Sequence, residues 1–451
     1  MTTAIERLAG LAADWLHVPI PPEVLHAVHC ATLDWFATTL PGTLQAPATL
    51  LSATGLGRPG GNAWCYTSER RIDPRGAAFI NGSASHTVEF DDIYRDGGYH
   101  PGSPTFAAAL AVAQDIGAPR DAFDRAVIGG YEVGCRLAMA LQPSHYEFWH
   151  ITGTVGTFGA AAAAAMLLGC DRDGIANALA ISASLAGGIQ QNLQGQSMVK
   201  AMHSGHAADA GILAAYAALA GATGSWESLD GSKGYAAATS DGIGNWEAAF
   251  EGAGDWTPIT RMTVKIHGCC GHIFPSLDAL AMLRAEHGFG PEAVEAIHIE
   301  GYGATKDICD RPNPRSAQEA RFSAQYCLSA LLVLGGVRLA AFTPEALRDP
   351  NIRAIMPRIT VERAEDLATE YPRKRMARLH VQLKDGRKLS HFQRSRRGDP
   401  DNPISLADLM AKYEELATSV LPEAEKDRLR RIIFDGAELP DAVTKKTKVK
   451  N

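Results

Sequence analysis

Cysteine is scarce: eight residues in 451. That is too few for a disulfide-stapled secreted scaffold. Two of the eight, Cys269 and Cys270, are adjacent, where a mutual disulfide would be strained, so a reducing cytoplasm is the expected setting. Positive charge is not in excess either. The formal net charge is −7, which excludes a general binder of nucleic acid or anionic membrane, because both need a basic face. The basic run KKTKVK at 445–450 reads as a solvated tail. Long hydrophobic runs are missing. The nearest, GTFGAAAAAAMLLGC (156–170), is rich in Ala and Gly and reads as a packed helix, not a membrane span. The opening MTTAIERLAGLAADWL is amphipathic and lacks the apolar core of a secretory signal. There is no H-E-x-x-H and no paired C-x-x-C, so no metal is expected. GLGRPG (55–60) matches a dinucleotide-binding string, but no β-run precedes it and Pro59 and Gly61 stand where a helix should begin.

What is present is a chain too long for one core, with an ordinary globular composition. The pattern predicts a mainly α protein with a second, α+β unit. Residues 1–40 read as two helices. From 105 to 222 the chain reads as almost continuous Ala-rich helix, most segments ending in Gly. Near 258 the period changes. MTVKIHG (262–268), AVEAIHIEGYG (293–303), ITVERAEDL (359–367) and RLHVQLKDGRKLSHF (379–392) read as strands, with apolar helices at 276–288 and 322–336 between them. Helical pattern returns after GDPDNPIS (398–405). The expected division is an all-α domain over 1–260 and 395–451, with an α+β domain over 261–394 inserted in it.

The chemistry-bearing residues are clustered. HTVEFDDIYRDGGYHPGSP (86–104) puts Glu89, Asp91 and Asp92 within four residues and His100 in the loop after them. Eight of the fifteen histidines fall between 86 and 272, several at helix starts. His150 precedes a Thr/Gly turn, and Lys200 stands beside His203. His267 and His272 flank Cys269–Cys270. Three readings compete. In the first, histidines such as His203 and His206 hold a metal, although no carboxylate is in register. In the second, a cysteine of the GCCG turn is a nucleophile, its pKa lowered by the nearby histidines. In the third, lysines and histidines bind the carboxylates of a small polyanion and one histidine moves a proton. The third accounts for more of the clustering.

The ordered stretches NGSASHTVEFDD (81–92), HPGSPTFAAALAVAQ (100–114), WHITGTVGTFGAAAAAAMLLG (149–169), SMVKAMHSGHAADAG (197–211), VKIHGCCGHIFPSLDAL (264–280) and EARFSAQYCLSALLVLG (319–335) resemble the MmgE/PrpD family, and the resemblance covers essentially the whole chain. It implies a large helical domain, a smaller α+β lid, a homodimer and no metal or organic cofactor. It also implies a small di- or tricarboxylate substrate. By the same resemblance His150, His100, Lys200, Tyr326 and Asp91 are candidate catalytic residues. Glu89, Asp92, His203, Lys265, Cys270 and His272 are candidates for substrate binding. The family includes 2-methylcitrate dehydratase, cis-aconitate decarboxylase and iminodisuccinate epimerase. Dehydration is the leading expectation, with epimerisation and decarboxylation as alternatives and a non-catalytic carboxylate binder as the other class. The chain departs from the family's pattern at Cys270, where decarboxylases carry histidine, at Phe274, and over IYRDGGY (93–99).

Overall fold

A computed structural model describes residues 2–193, 197–242, 244–371, 373–436 and 438–446. The chain is mostly helical with a small mixed sheet. We number the longer helices α1 (Ala4–Asp14), α2 (Pro22–Gly42), α3 (Pro74–Ser85), α4 (Gly102–Ile116), α5 (Arg120–Leu141), α6 (Ile151–Leu167), α7 (Arg172–Ser182), α8 (Val199–Leu219), α9 (Phe274–His287), α10 (Ala324–Leu334), α11 (Leu406–Thr418) and α12 (Glu423–Asp435).

The Ala/Gly-rich sequence explains the centre of the helical part. All 17 residues of α6 are buried, and α4, α5, α7 and α8 pack around it. Small residues let the backbones close up. A Cβ on Gly130 of α5 would stand 2.8 Å from the Gly159 carbonyl oxygen of α6, and one on Gly211 of α8 would stand 2.6 Å from the Ala160 Cβ. One apolar cluster runs from Ala4 to Ile259 and takes in Leu409, Tyr413, Leu416, Leu429 and Ile433 of α11 and α12. The buried pair Lys412–Asp34, 2.5 Å, ties α11 to α2.

A second apolar cluster is drawn from residues between Cys269 and Leu383. It lies between α9, α10 and a four-stranded sheet. The strands follow a short hairpin, β1 (Ala63–Cys65) and β2 (Arg70–Ile72), and are β3 (Val294–Gly301), β4 (Ile359–Arg363), β5 (Ala377–Leu383) and β6 (Lys388–Gln393). Their order is β4-β3-β5-β6, with β3 parallel to β4 and the other pairs antiparallel. Alternate residues of β3, such as Ile297 and Ile299, are buried, as a sheet with one covered face requires.

Three sequence expectations need correction or comment. MTVKIHG is not a strand of the sheet: Thr263 makes an isolated antiparallel bridge to Ile93, 264–266 join no ladder, and the chain bends at His267 and Gly268. The β1–β2 hairpin escaped the sequence reading, because three-residue strands are too short to show alternation. Of the tail read at 445–450, residues 447–450 lie outside the described residues.

Candidate active site

A cleft enclosing about 710 Å³, counted with the solvent at its mouth, opens between the two clusters. Glu89, His100, His150 and Lys200 line it from the helical side. Lys265, Cys270, His272, Tyr371, Arg375 and Arg396 line it from the other.

The helical wall is built from chain turns at helix ends. His86 is the C-cap of α3. From it the chain passes through Glu89 to His100 and enters α4 at Gly102. Glu89 has φ +60°, a left-handed conformation that is uncommon for a residue with a Cβ and costs of order 1 kcal/mol. Its carboxylate is held from two sides, paired with Lys200 and with Lys265 at 3.3 Å. Burial would raise its pKa, but the two ammonium groups outweigh burial and hold it at about 2. Lys200 is in the first turn of α8, and His150 is the N-cap of α6. Lys412 donates to the Phe90 carbonyl at 2.7 Å, so α11 fixes the loop from below.

Asp91 and Asp92 face opposite ways, as successive residues of an extended chain do. Asp91 turns to the histidines. Its Oδ2 lies 2.6 Å from His86 Nδ1 and 3.1 Å from His100 Nδ1, and Ser103 donates to it at 3.1 Å. Burial opposes ionisation of Asp91, but His86, His100 and Lys265 together keep its pKa well below the usual carboxylate range. Asp92 turns away from the cleft. Its two oxygens accept from the Gly102 backbone N–H at 3.0 Å and the Tyr131 hydroxyl at 2.7 Å, and burial pushes its carboxyl up to about 7. The structure therefore does not bring Asp92 to a substrate; it closes the N-terminus of α4.

His100 and His150 meet at His86. The His86 ring lies 5.0 Å from that of His100 and stacks 5.5 Å from that of His150. Burial lowers His100 to about 4, against the pull of Asp91, and lowers His150 well below the ordinary imidazole value. Both rings are therefore neutral near pH 7. His100 Nδ1 lies 2.8 Å from the Asp92 carbonyl oxygen, which can only accept, so Nδ1 carries the proton and Nε2 keeps a lone pair. His203 sits behind His150, the two Nδ1 atoms 3.0 Å apart, and does not reach the cleft.

On the opposite wall the glycines of GCCG are steric requirements. A Cβ on Gly268 would stand 2.4 Å from the Phe90 ring, and one on Gly271 would stand 2.8 Å from Arg396 Nη1. Cys269 points into the second core. Cys270 faces the cleft, and a hydrogen bond from Cys309 lowers its thiol to about 7 despite burial. His272 Nδ1 meets the Tyr302 hydroxyl at 2.8 Å. Tyr326 is not in the cleft. It is fully buried in the second core, and its hydroxyl donates to the Ala341 carbonyl. Its apolar helix places it with the core, and the expected catalytic role loses its geometry.

His86, Asp91 and His100 have one potential ligand atom each within 4.8 Å of the others, a spacing that a metal ion could use. The hydrogen bonds argue otherwise. The Asp92 carbonyl requires a proton on His100 Nδ1, and 2.6 Å between His86 Nδ1 and Asp91 is a charge-assisted hydrogen bond. The three form an Asp–His–His hydrogen-bonded set.

The chain matches the profile of the MmgE/PrpD N-terminal domain over residues 6–245 and that of the MmgE/PrpD C-terminal domain over 267–435. It belongs to the MmgE/PrpD family. Among curated MmgE/PrpD-like relatives, it is 28% identical over 442 residues to the cis-aconitate decarboxylase-like protein oryM of Aspergillus oryzae, with 92% of this chain and 89% of the relative covered. It is 27% identical over 384 residues to cis-aconitate decarboxylase of Homo sapiens, covering 82% and 78%. To cis-aconitate decarboxylase of Aspergillus terreus it is 24% identical over 460 residues, covering 96% and 92%. Within this MmgE/PrpD cleft, sequence reasoning missed Arg375 and Arg396, and behind its wall it counted His86 among the clustered histidines without giving it a role. His86 stood in the quoted NGSASHTVEFDD stretch; the two arginines had no signal beyond their charge.

Proposed function

We propose that the chain is a lyase of small di- or tricarboxylates that removes a proton from the carbon next to a carboxylate, with His100 as the base. The observation that carries this reading is the state of His100. Its Nδ1 proton is anchored on the Asp92 carbonyl and beside Asp91, its ring is neutral, and it shares the cleft with the ammonium groups of Lys200 and Lys265. An anchored neutral imidazole offers Nε2 as a base. The lysines supply positive charge where an enolate-like carboxylate builds up. In a dehydration the departing hydroxide needs a proton. Tyr326 is too far into the core to give it, and the Cys270 thiol, at about 7, takes that role.

A second reading is loss of CO₂, favoured by the names of the relatives. There the proton step is delivery to the carbon that CO₂ leaves, and Cys270 is the donor. One experiment separates these outcomes: NMR of a panel of polycarboxylates with the protein in D₂O. Water loss gives an unsaturated acid with all carboxylates retained, and decarboxylation gives a deuterated acid with one fewer. Exchange with inverted configuration alone would mean an epimerase. No change in any substrate would overturn the reading of an enzyme. His100 also sets the pH dependence. With the base titrating near 4 rather than at the ordinary 6.5 and the Cys270 thiol near 7, kcat/KM should be highest between about pH 5 and 6, fall below pH 5 as His100 is protonated, and fall above 7 as Cys270 ionises. An acid limb centred near 6.5 would rule out His100.

A further inference from the structure

The two lysines that make the cleft look anion-binding are already matched. Lys200 and Lys265 share Glu89, and Lys265 also lies 3.6 Å from Asp91. Arg396 is matched too. It grips Asp399, its closest contact 2.6 Å, and is fully buried. Arg375 is different. It lines the same cleft and is only 3% exposed. Its guanidinium has no carboxylate within ion-pair distance among the described residues. Nη1 donates to the Arg95 carbonyl at 2.8 Å, and buried Nε has no hydrogen-bond partner. The ring of Tyr371 lies against it, centroid 5.5 Å away, and Tyr371 in turn stacks on Tyr302 at 4.9 Å.

A buried guanidinium with no ion-pair partner is costly to keep; burial opposes its charge, and the Tyr371 and Tyr302 rings with the more distant Asp399 and Asp96 offset that, but none of them meets its free Nε. We infer that Arg375 is a specificity residue: it takes a carboxylate of the substrate remote from the carbon that reacts at His100. The inference rests on the polycarboxylate reading above and adds which residue recognises the second anionic group. The local construction fits. Arg375 is held by the carbonyl of Arg95. Arg95 is itself fixed by Asp96 and Asp401, each at 3.0 Å. The guanidinium is therefore oriented before any ligand arrives, which preserves affinity that ordering would otherwise cost. A bidentate carboxylate would satisfy Nε and a terminal nitrogen together. His272, on the same wall, is held well below its ordinary pKa by burial and then by Arg375 and Arg396, so it stays neutral and does not compete for the anion.

The test uses the full-length protein and tricarballylate, a tricarboxylate with no hydroxyl to eliminate. Its binding is measured calorimetrically to wild type, Arg375→Gln and Arg375→Lys, and Tm is measured without ligand. Arg375→Gln should bind at least about tenfold more weakly, the size expected for a lost charge-assisted contact. Arg375→Lys should recover part of the loss. Added guanidinium ion, at a concentration that leaves Tm unchanged, should restore binding to the Gln variant. The Tm of unliganded Arg375→Gln should fall little, because the loss of the Arg95 and Tyr371 contacts is offset by removal of a buried charge that has no ion-pair partner. Wild-type affinity in Arg375→Gln would overturn the inference. So would a lowered Tm with equal losses in both variants and no rescue, which would make Arg375 a structural residue. A wild type that binds no tricarballylate overturns it as well. The two proposals fail separately. Turnover of a polycarboxylate with KM unchanged in Arg375→Gln would defeat this inference alone. Binding through Arg375 without turnover of any panel member would defeat the lyase reading alone.

Discussion

At the scale of single residues, the site is organised by which charges are matched and which are not. Lys200 is the cation most directly shared between Glu89 and the cleft. Replacing it by Ala leaves Glu89 to Lys265 and, on the proposed lyase reading, removes one of the charges that would stabilise a developing carboxylate. We expect kcat/KM to fall about 10²-fold, roughly 3 kcal/mol, with Tm checked to exclude unfolding. Asp92 gives a test of the opposite kind, since it faces away from the cleft. Its folded pKa, about 7, is raised above the ordinary 3.8. Its contribution to stability is therefore fully present below pH 3.8, is lost as pH rises towards 7, and stays lost above that. Asp92→Asn removes the titration. The stability of the variant should gain on wild type between pH 5 and pH 8 by roughly 3 kcal/mol, with a matching rise in Tm. A difference that does not change with pH would mean that Asp92 is ionised throughout. Residue chemistry was only partly legible in the sequence. Glu89, His100, His150, Lys200 and Lys265 were readable because they stand at loop and helix boundaries. Arg375 was not, because it lies two residues from Arg373, whose side chain is 77% exposed. Spacing does not distinguish the buried cation from the solvated one.

At the scale of elements, helix ends set the site, so helix packing sets its dimensions. α3 delivers His86 at its C-cap, and α8 delivers Lys200 in its first turn. The two cross at Gly205, where a Cβ would lie 2.2 Å from the Phe79 carbonyl oxygen and 2.4 Å from the Ser83 hydroxyl. Gly205→Ala must push α8 from α3, at a cost of about 1–3 kcal/mol. The same shift separates Lys200 from Glu89, so activity should fall even at temperatures where the variant is folded. Gly117, the left-handed C-cap of α4, is the control: it has open space at its Cβ position. Gly117→Ala should cost about 1 kcal/mol of stability from φ alone and leave kcat/KM unchanged. If both variants lose activity in proportion to stability, the crossing has no special bearing on the site. The Ala-rich helices were legible because their period persists over several turns. MTVKIHG misled because an extended segment alternates as a strand does, whether or not a sheet edge receives it.

At the scale of the whole molecule, the cleft has a property that neither apolar cluster has alone. Glu89, His100, His150 and Lys200 come from one cluster's helices and loops, and Lys265, Cys270 and Arg375 from segments at or beyond the start of the other. Contacts that join the two walls in this region include the Lys265–Glu89 and Lys265–Asp91 pairs, the Ile93–Thr263 bridge and the Arg375–Arg95 hydrogen bond. A polycarboxylate held at one end near Lys200 and at the other by Arg375 would add a bridge between the walls. Local opening is governed by such contacts, and amide exchange reports it. Saturating tricarballylate should therefore slow exchange at two sets of amides at once. One is the 86–102 loop. The other comprises the 264–273 turn and the amides near Arg375. Protection confined to one wall would place the ligand elsewhere, and protection spread evenly over all helices would indicate general stabilisation instead. In Arg375→Gln the 86–102 protection should weaken along with that of the far wall. A ligand held at one end no longer couples the two.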